Sequence, residues 1–432
     1  MARSTSPSRI PAARHVRGRR NGPFAAILRV IAVSLAVVLV SGASIATYAF
    51  WDITSGISDN SVDISGGEEP TDPPHLGIGE FEGGFDMLVI GADNDSGQDT
   101  SLYGQRDVAL NDVNLLVHVA DDHQSAVVVS FPRDLVIPIP ECTDPETGET
   151  RGYEYAAMIN TSFPKGGNKG GLACAVATVE ELTDIDIDYA AQFTFGSVVQ
   201  LTNAIGGVEV CLQEPITDRN SGLDLPEGIS TVQGQDALAF LRTRKAVGDG
   251  SDLSRIALQQ MYMSSLVKKL KSDGTLGDPS KLFGIAKVAA ESVSLSSNLA
   301  NVNTMISMAL TVRNLGLDNI QLVQYPVGES PNDPNRVVPS TETADQLMAA
   351  IKADASFSSD PDVRRVGVED TTPEESAPPE EPAEIEEPAD PATAPPADGE
   401  TPDDTATTPP GDGVISGLVG QSAAQESCVV KN

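Results

Sequence analysis

The chain has few of the residues that common metal and nucleophile chemistries need. Its four histidines, His15, His75, His118 and His123, are scattered, and none stands at metal-ligand spacing from a partner. Four cysteines, at 142, 174, 211 and 428, form no Cys-x-x-Cys pair and no Cys/His cluster, which argues against a structural zinc site. There is no Gly-x-Ser-x-Gly elbow, no Walker loop and no Gly-x-Gly-x-x-Gly after a strand, so nothing supports an α/β-hydrolase, a P-loop enzyme or a dinucleotide-binding domain. Positive charge is scarce too. With 28 Lys+Arg against 62 Asp+Glu, the net charge of -34 speaks against a nucleic-acid-binding surface. No internal repeat is visible.

The scarce positive charge is concentrated at the start. Arg3, Arg9, Arg14, Arg17, Arg19, Arg20 and Arg29 precede a nearly uncharged run, Val30 to Trp51. About 20 apolar residues in a helix span a bilayer core. Arginines on one flank only predict a cytoplasmic N-terminus, with the rest of the chain outside. The alternative is a cleaved signal peptide, which the small residues Ser41 to Ser44 permit. The expected organisation is therefore a basic cytoplasmic segment (1–29), a transmembrane helix (30–51), a Gly/Ser/Asp/Pro-rich linker (52–80) and a folded domain (81–356). An acidic Pro-rich tail (357–432), expected to be disordered, follows. Its Pro/Glu/Asp/Thr/Ala composition cannot bury enough apolar surface to fold.

Within the domain, apolar runs predict strands at Asp86 to Gly91, Val113 to Val119, Ala126 to Phe131, Tyr189 to Phe195, Val208 to Leu212 and Ile320 to Tyr325. Helical spacing marks Leu172 to Leu182, Asp236 to Leu241, Leu253 to Leu270, Lys281 to Val293, Val302 to Val312 and Thr343 to Ala353. Strands interleaved with helices predict an α/β fold, a layered α/β/α sandwich with a central mixed sheet.

Several clusters invite chemistry. Ser130-Phe131-Pro132-Arg133-Asp134 puts an arginine just past a strand, where ligands of α/β sheets bind and where a guanidinium can fork onto phosphate. The alternative is a surface ion pair. Asp93 follows the first strand and Asp112 leads the second. Two carboxylates there suit Mg²⁺ together with diphosphate oxygens, although strand-end turns favour Asp anyway. Arg242, Arg244 and Arg255, with Gln259 one helical turn further on, suggest either an electropositive pocket or solvated helix faces; Asp252 is positioned to cap that helix. The doublets Gly166-Gly167 and Gly170-Gly171 around Lys169 offer either a close approach to phosphates or, the reading preferred, a flexible loop.

Taken in order, these pieces resemble the LytR-CpsA-Psr family. The order runs from a basic start and one apolar helix to a strand ending in Gly-x-Asp, an Asp-led strand and Ser-x-Pro-Arg-Asp. Then come Ile159-Asn160 with a glycine loop, Ala204-Ile205-Gly206-Gly207-Val208, Arg-x-Arg and Asp-x-x-Arg-x-x-x-Gln-Gln. The resemblance covers about Phe85 to Asp354. It implies that Asp93 and Asp112 hold Mg²⁺ and that Arg133, Arg242, Arg244, Arg255 and Gln259 bind a polyprenyl pyrophosphate. Leu110, Met158 and Leu258 stand where the family often has basic residues. Arg106 in the preceding loop is the candidate replacement for the first of these, and Asp107 competes with Asp112 for the metal.

The activity implied is transfer of a glycopolymer from a polyprenyl-pyrophosphate lipid to peptidoglycan or a related wall glycan, by a membrane-anchored, extracytoplasmic domain. Arg133, Asp134 and Arg255 would stand at the reacting centre, with Asp134 a candidate base. The apolar helices near 281–293 and 302–312 would either wall a lipid groove or simply pack the core. Two other readings use the same residues or none: hydrolysis of the lipid diphosphate, and a non-enzymatic membrane-bound regulator or lipid-binding module. For the cysteines, an oxidising compartment predicts disulfides, with three possible pairings. The expected one is Cys142–Cys174 beside the proposed pocket and Cys211–Cys428 across the tail, which would pull the last residues back onto the domain and give the apolar patch Val414 to Val419 something to pack on. The alternative leaves Cys428 free or paired between molecules.

Overall fold

A computed structural model describes residues 61–64, 81, 83–92, 108–272, 274–275, 279–371 and 413–431. The chain divides into two compact units, Met1–Asp52 and Ile53–Asn432, and every described residue belongs to the second. The expected transmembrane run, Asp93, Arg106, Asp107 and most of the acidic stretch lie outside the described residues. Among the described residues no helix is long and apolar enough to cross a membrane.

An eight-stranded mixed sheet organises the domain. Its order is Ser61–Val62, Ser294–Ser296, Tyr189–Phe193, Phe85–Ala92, Asn111–Val119, Ala126–Phe131, Ile320–Gln324 and Gly420–Ser422. The Ala126–Phe131 strand, AVVVSF, is buried along its whole length, as expected of a β-branched run covered on both faces. In Phe85–Ala92, two strands along, the residues alternate between layers. Leu88 and Ile90 enter one layer while Phe85 and Met87 enter the other, the period of two that a strand imposes. Helices Gly167–Thr183 and Thr341–Lys352 cover the first face through Leu172, Val176, Val179, Leu347 and Ile351. Helices Pro279–Ser292 and Val302–Asn314 cover the second through Ala289, Met305, Met308 and Val312. These two apolar helices pack the core, at least through those side chains.

Strand directions gather the functional edge. Tyr189–Phe193 runs parallel to Phe85–Ala92, and Ala126–Phe131 runs parallel to Ile320–Gln324. Asn111–Val119 lies antiparallel between the two pairs. Four carboxyl ends and the start of Asn111–Val119 therefore share one edge of the sheet, where α/β folds place ligands.

A second sheet was not foreseen. It runs Gly228–Val232, Val208–Leu212, Ser427–Val429, Val368–Asp370 and shares a core with helices Gln235–Arg242 and Asp252–Ser272, including Val210, Phe240, Leu258, Tyr262 and Val429. The helix Phe195–Ile205 leads into it. Gly206 and Gly207 both have positive φ, and a Cβ on Gly207 would stand 2.8 Å from the Thr231 side chain.

Two expectations are corrected. Residues 357–371 and 413–431 are not a disordered tail, and the last residues dock on the domain as the Cys211–Cys428 pairing predicts. Gly420–Ser422 pairs antiparallel with Ile320–Gln324, Leu418 is fully buried, and Cys211–Cys428 ties the last strand to the second sheet. Backbone pairing and a disulfide hold these three-residue strands, so they show no apolar period. The glycine doublets are also not a flexible loop. They begin the Gly167–Thr183 helix, where a Cβ on Gly171 would stand 2.8 Å from Phe163 and one on Gly170 would stand 2.7 Å from the Thr143 carbonyl. The glycines permit close packing onto the hairpin that Cys142–Cys174 braces.

Candidate active site

Pro132 ends the Ala126–Phe131 strand, and the Leu135 N–H donates to the Pro132 carbonyl at 3.0 Å. The turn this closes, with φ fixed at proline, sets Arg133 at the edge. Arg133 Nη1 donates to Asp112 Oδ1 at 3.1 Å. Asp112 is the second residue of Asn111–Val119, which starts at the same edge. The Asp252–Ser272 helix then brings Asp252 and Arg255, three residues apart and so on one face. Arg255 Nη2 lies 2.6 Å from Asp252 Oδ1 and donates to the Asp112 carbonyl at 2.8 Å. The backbone N–H of Arg133 donates to Asp252 Oδ2 at 3.2 Å. One turn along, Gln259 Nε2 donates to the Leu241 carbonyl at 3.2 Å.

Charge in this cluster is unevenly matched. Arg133, Arg244 and Arg255 each bury an Nε with no hydrogen-bond partner. Burial works against the Arg133 charge, but the fields of Asp112, Asp252 and Asp134 outweigh it, and its pKa is raised. For Arg255 burial wins and the pKa is lowered. Asp252 and Asp112 oppose that shift, while the charges of Arg133 and Arg244 add to it. Three guanidiniums thus feel one another around three carboxylates, Asp112, Asp252 and Asp134. Buried guanidinium donors left without a hydrogen bond are what an anionic ligand would satisfy.

Arg244 follows the Gln235–Arg242 helix through Thr243, which is buried and donates to the Ala239 carbonyl at 2.9 Å. Arg242 takes a different place. Its guanidinium carbon stands 4.4 Å over the Phe195 ring, just past the carboxyl end of Tyr189–Phe193 and so at the same edge. Asp134 sits between Arg336 Nη1 at 3.1 Å and Arg133 Nε at 3.7 Å.

The structure therefore joins Asp112, Arg133, Asp134, Arg244, Arg255 and Gln259, and puts Arg242 on the flank. Sequence reading gave Asp252 only a capping role and missed Arg336, which reaches Asp134 from 202 residues away. Asp93, Arg106 and Asp107 lie outside the described residues. Among the described residues no group of three or more His, Cys, Asp or Glu side chains could hold a metal ion.

Compared with known proteins, residues 52–353 match the LytR_cpsA_psr family. The cell wall biosynthesis protein LcpA of Corynebacterium glutamicum is 29% identical over 324 residues, 68% of this chain and 58% of LcpA. This chain thus spans little more than half of that relative. The polyisoprenyl-teichoic acid–peptidoglycan teichoic acid transferase TagT of Bacillus subtilis is 29% identical over 254 residues, 57% of this chain and 70% of TagT. A Streptococcus agalactiae protein of solved structure shares the fold, with a TM-score of 0.50 at 20% identity, over 63% of this chain and 88% of that one.

Proposed function

The chain belongs to the LytR-CpsA-Psr family, and on that premise we propose that it transfers a glycopolymer from a polyprenyl-diphosphate lipid to peptidoglycan or a related wall glycan. The observation that carries this is that three guanidiniums at the carboxyl edge of the sheet, Arg133, Arg244 and Arg255, each bury an Nε that makes no hydrogen bond. A diphosphate supplies the acceptors and the negative charge they need. The activity for which TagT is named, teichoic acid transfer to peptidoglycan, supports the same chemistry.

In this reading an acceptor hydroxyl attacks the sugar-proximal phosphorus and polyprenyl monophosphate leaves. Arg133, Arg244 and Arg255 hold the diphosphate oxygens, and catalysis comes from positioning and charge stabilisation. Arg242 and Gln259 flank them, and Arg106 is the further candidate. Asp134 is the candidate base for the acceptor proton. Asp112 fits a hard cation such as Mg²⁺. It is an oxygen donor with 23% of its side chain open, and it meets Arg133 through Oδ1. Asp112 would share the ion with Asp93, and the bound ion would neutralise charge on the diphosphate. We propose further that the Val30 to Trp51 run anchors the chain and that the domain works outside the cell. Both disulfides suit an oxidising compartment.

The test uses the purified full chain, a farnesyl-diphosphate-linked oligosaccharide and soluble peptidoglycan fragments. The expected products are farnesyl monophosphate and a phosphodiester-linked saccharide on the glycan. Free saccharide phosphate, formed equally without glycan, would show a hydrolase instead. Arg244→Ala should weaken diphosphate binding by about ten- to a hundredfold, the worth of one charge-assisted donor. It should leave the unliganded domain as stable as before, because Arg244 Nε bonds nothing and its charge opposes Arg255.

A further inference from the structure

Behind Asp112 and Arg133 lies a floor of buried polar side chains, and one of them is left over. Asn111 Nδ2 reaches Asn114 Oδ1 at 2.6 Å, Ser162 Oγ at 3.1 Å and the Ile159 carbonyl at 3.2 Å. Asn111 Oδ1 accepts the Phe163 N–H at 3.2 Å. Asn114 Nδ2 donates to the Asn111 carbonyl at 3.1 Å, and Ser162 Oγ donates to the Ile159 carbonyl at 2.8 Å. Thr161 Oγ1 donates to the Met158 carbonyl at 2.7 Å. Each of these side chains is satisfied within the fold. Asn160 is only 4% exposed, and its Oδ1 has no partner.

The position of Asn160 is closely fixed. It lies in the one-turn helix Ile159–Thr161. Ile159 donates its N–H to the Leu135 carbonyl at 2.8 Å, two residues beyond Arg133. The Ile159 carbonyl is held by Asn111, the neighbour of Asp112. Asn160 is thus bracketed by the two segments that carry Asp112 and Arg133. A buried acceptor without a donor is costly, and none of the arginines nearby is bonded to it. A diphosphate cannot relieve it either, because ionised phosphate oxygens are acceptors themselves.

We propose that Asn160 is a specificity residue of the transferase site, its Oδ1 accepting a hydrogen bond from a hydroxyl or amide N–H of the carbohydrate beside the diphosphate. The inference rests on the transferase reading and adds to it a recognition element for sugar rather than for phosphate. A site built around a buried hydrogen-bonding group rejects ligands that lack the partner, because that group is then left unpaired. The carbohydrate comes either from the lipid-linked donor or from the incoming acceptor, and the two sources are separable.

The experiment compares the full chain with its Asn160→Ala variant, using farnesyl diphosphate and farnesyl diphosphate carrying a disaccharide as probes. The variant should bind plain farnesyl diphosphate as the parent does. If the donor supplies the sugar, the variant should bind the disaccharide-linked probe at least tenfold more weakly. If the acceptor supplies it, donor binding should be unchanged and KM for soluble peptidoglycan fragments should rise at least tenfold. The unliganded variant should melt no earlier than the parent, since no hydrogen bond of the fold is removed. Equal weakening toward both probes, no change in either arm, or an unfolded variant would overturn the assignment. A parent chain that binds neither probe would instead take down the transferase reading, and this proposal with it.

Discussion

Asp252 holds Arg133 and Arg255 together although they lie on separate elements: its Oδ1 is 2.6 Å from Arg255 Nη2, and its Oδ2 accepts the Arg133 N–H at 3.2 Å. The carboxylate is buried with Arg255, and both side chains are 7% exposed. With Asp112 and Asp134 it supplies the fixed counter-charge that lets three guanidiniums crowd one edge before any ligand arrives.

Asp252→Ala should therefore destabilise the unliganded domain by about 3–5 kcal/mol, the usual cost of removing one partner from a buried pair. Asp252→Asn keeps an acceptor for the Arg133 N–H and should lose less. Chemical denaturation of the two variants checks this, and a loss under about 1 kcal/mol for Asp252→Ala would mean that Asp112 alone suffices. A diphosphate probe should restore part of the loss, because its charge takes over some of the role of Asp252.

Much of this was legible in the sequence. The valine run of Ala126–Phe131 and the apolar run Met87 to Ile90 announce central strands, because burial on both faces leaves that signature. Pro132-Arg133-Asp134 marked the edge because a proline-closed turn after a strand is local information. The joining of Asp134 to Arg336 was not legible, since nothing near residue 336 signals a partner two hundred residues away. Asn160 was visible as a motif residue, but its unbonded Oδ1 depends on how Asn111, Asn114 and Ser162 satisfy one another. The C-terminal strands were missed for a different reason. Gly-Gln-Ser and Ser-Cys-Val are too short to carry a period, and only Cys428 pointed to where they go.

That docked segment leads to a stability prediction. Cys211–Cys428 closes a separation of 217 residues, for which the chain-entropy model sets a ceiling of about 5 kcal/mol. Backbone pairing of Gly420–Ser422 with Ile320–Gln324 holds part of the segment without the disulfide. A Cys211→Ser/Cys428→Ser double variant should therefore lose about 2–4 kcal/mol and still fold. Ending the chain at residue 371 should do more harm. It removes the three strands that follow residue 371 among the described residues and bares the Ile320–Gln324 edge, which invites edge-to-edge association. Light scattering should show the truncated chain aggregating while the double variant stays dispersed. A truncated chain that remains monomeric with an unchanged melting temperature would show that the segment is only an appendage.

The far edge of the sheet supports a prediction about pH. His118, at the end of Asn111–Val119, lies between two carboxylates. Its Nδ1 is 3.0 Å from Asp86 Oδ1 and its Nε2 is 2.9 Å from Asp354 Oδ1. Asp188 stands behind, accepting the Asp86 N–H at 2.9 Å, and the Asp121 N–H donates to Asp354 Oδ2. Burial works against the imidazolium, but the hydrogen bonds and charges of Asp86 and Asp354 outweigh it, and the pKa is raised. A group whose pKa is raised on folding stabilises the fold fully below its unfolded value of about 6.5 and loses that contribution as pH climbs through the folded value. The domain should therefore melt progressively earlier as pH rises from about 6 into the alkaline range. His118→Asn, which cannot take a proton there, should flatten that slope and lower stability most on the acid side. Diphosphate binding should be unaffected, because Asp86 and His118 lie at the opposite ends of their strands from Ala92 and Asp112. Melting curves of parent and variant across that range decide it: parallel slopes would mean that His118 stays neutral between its two carboxylates and serves only as a hydrogen-bonded brace.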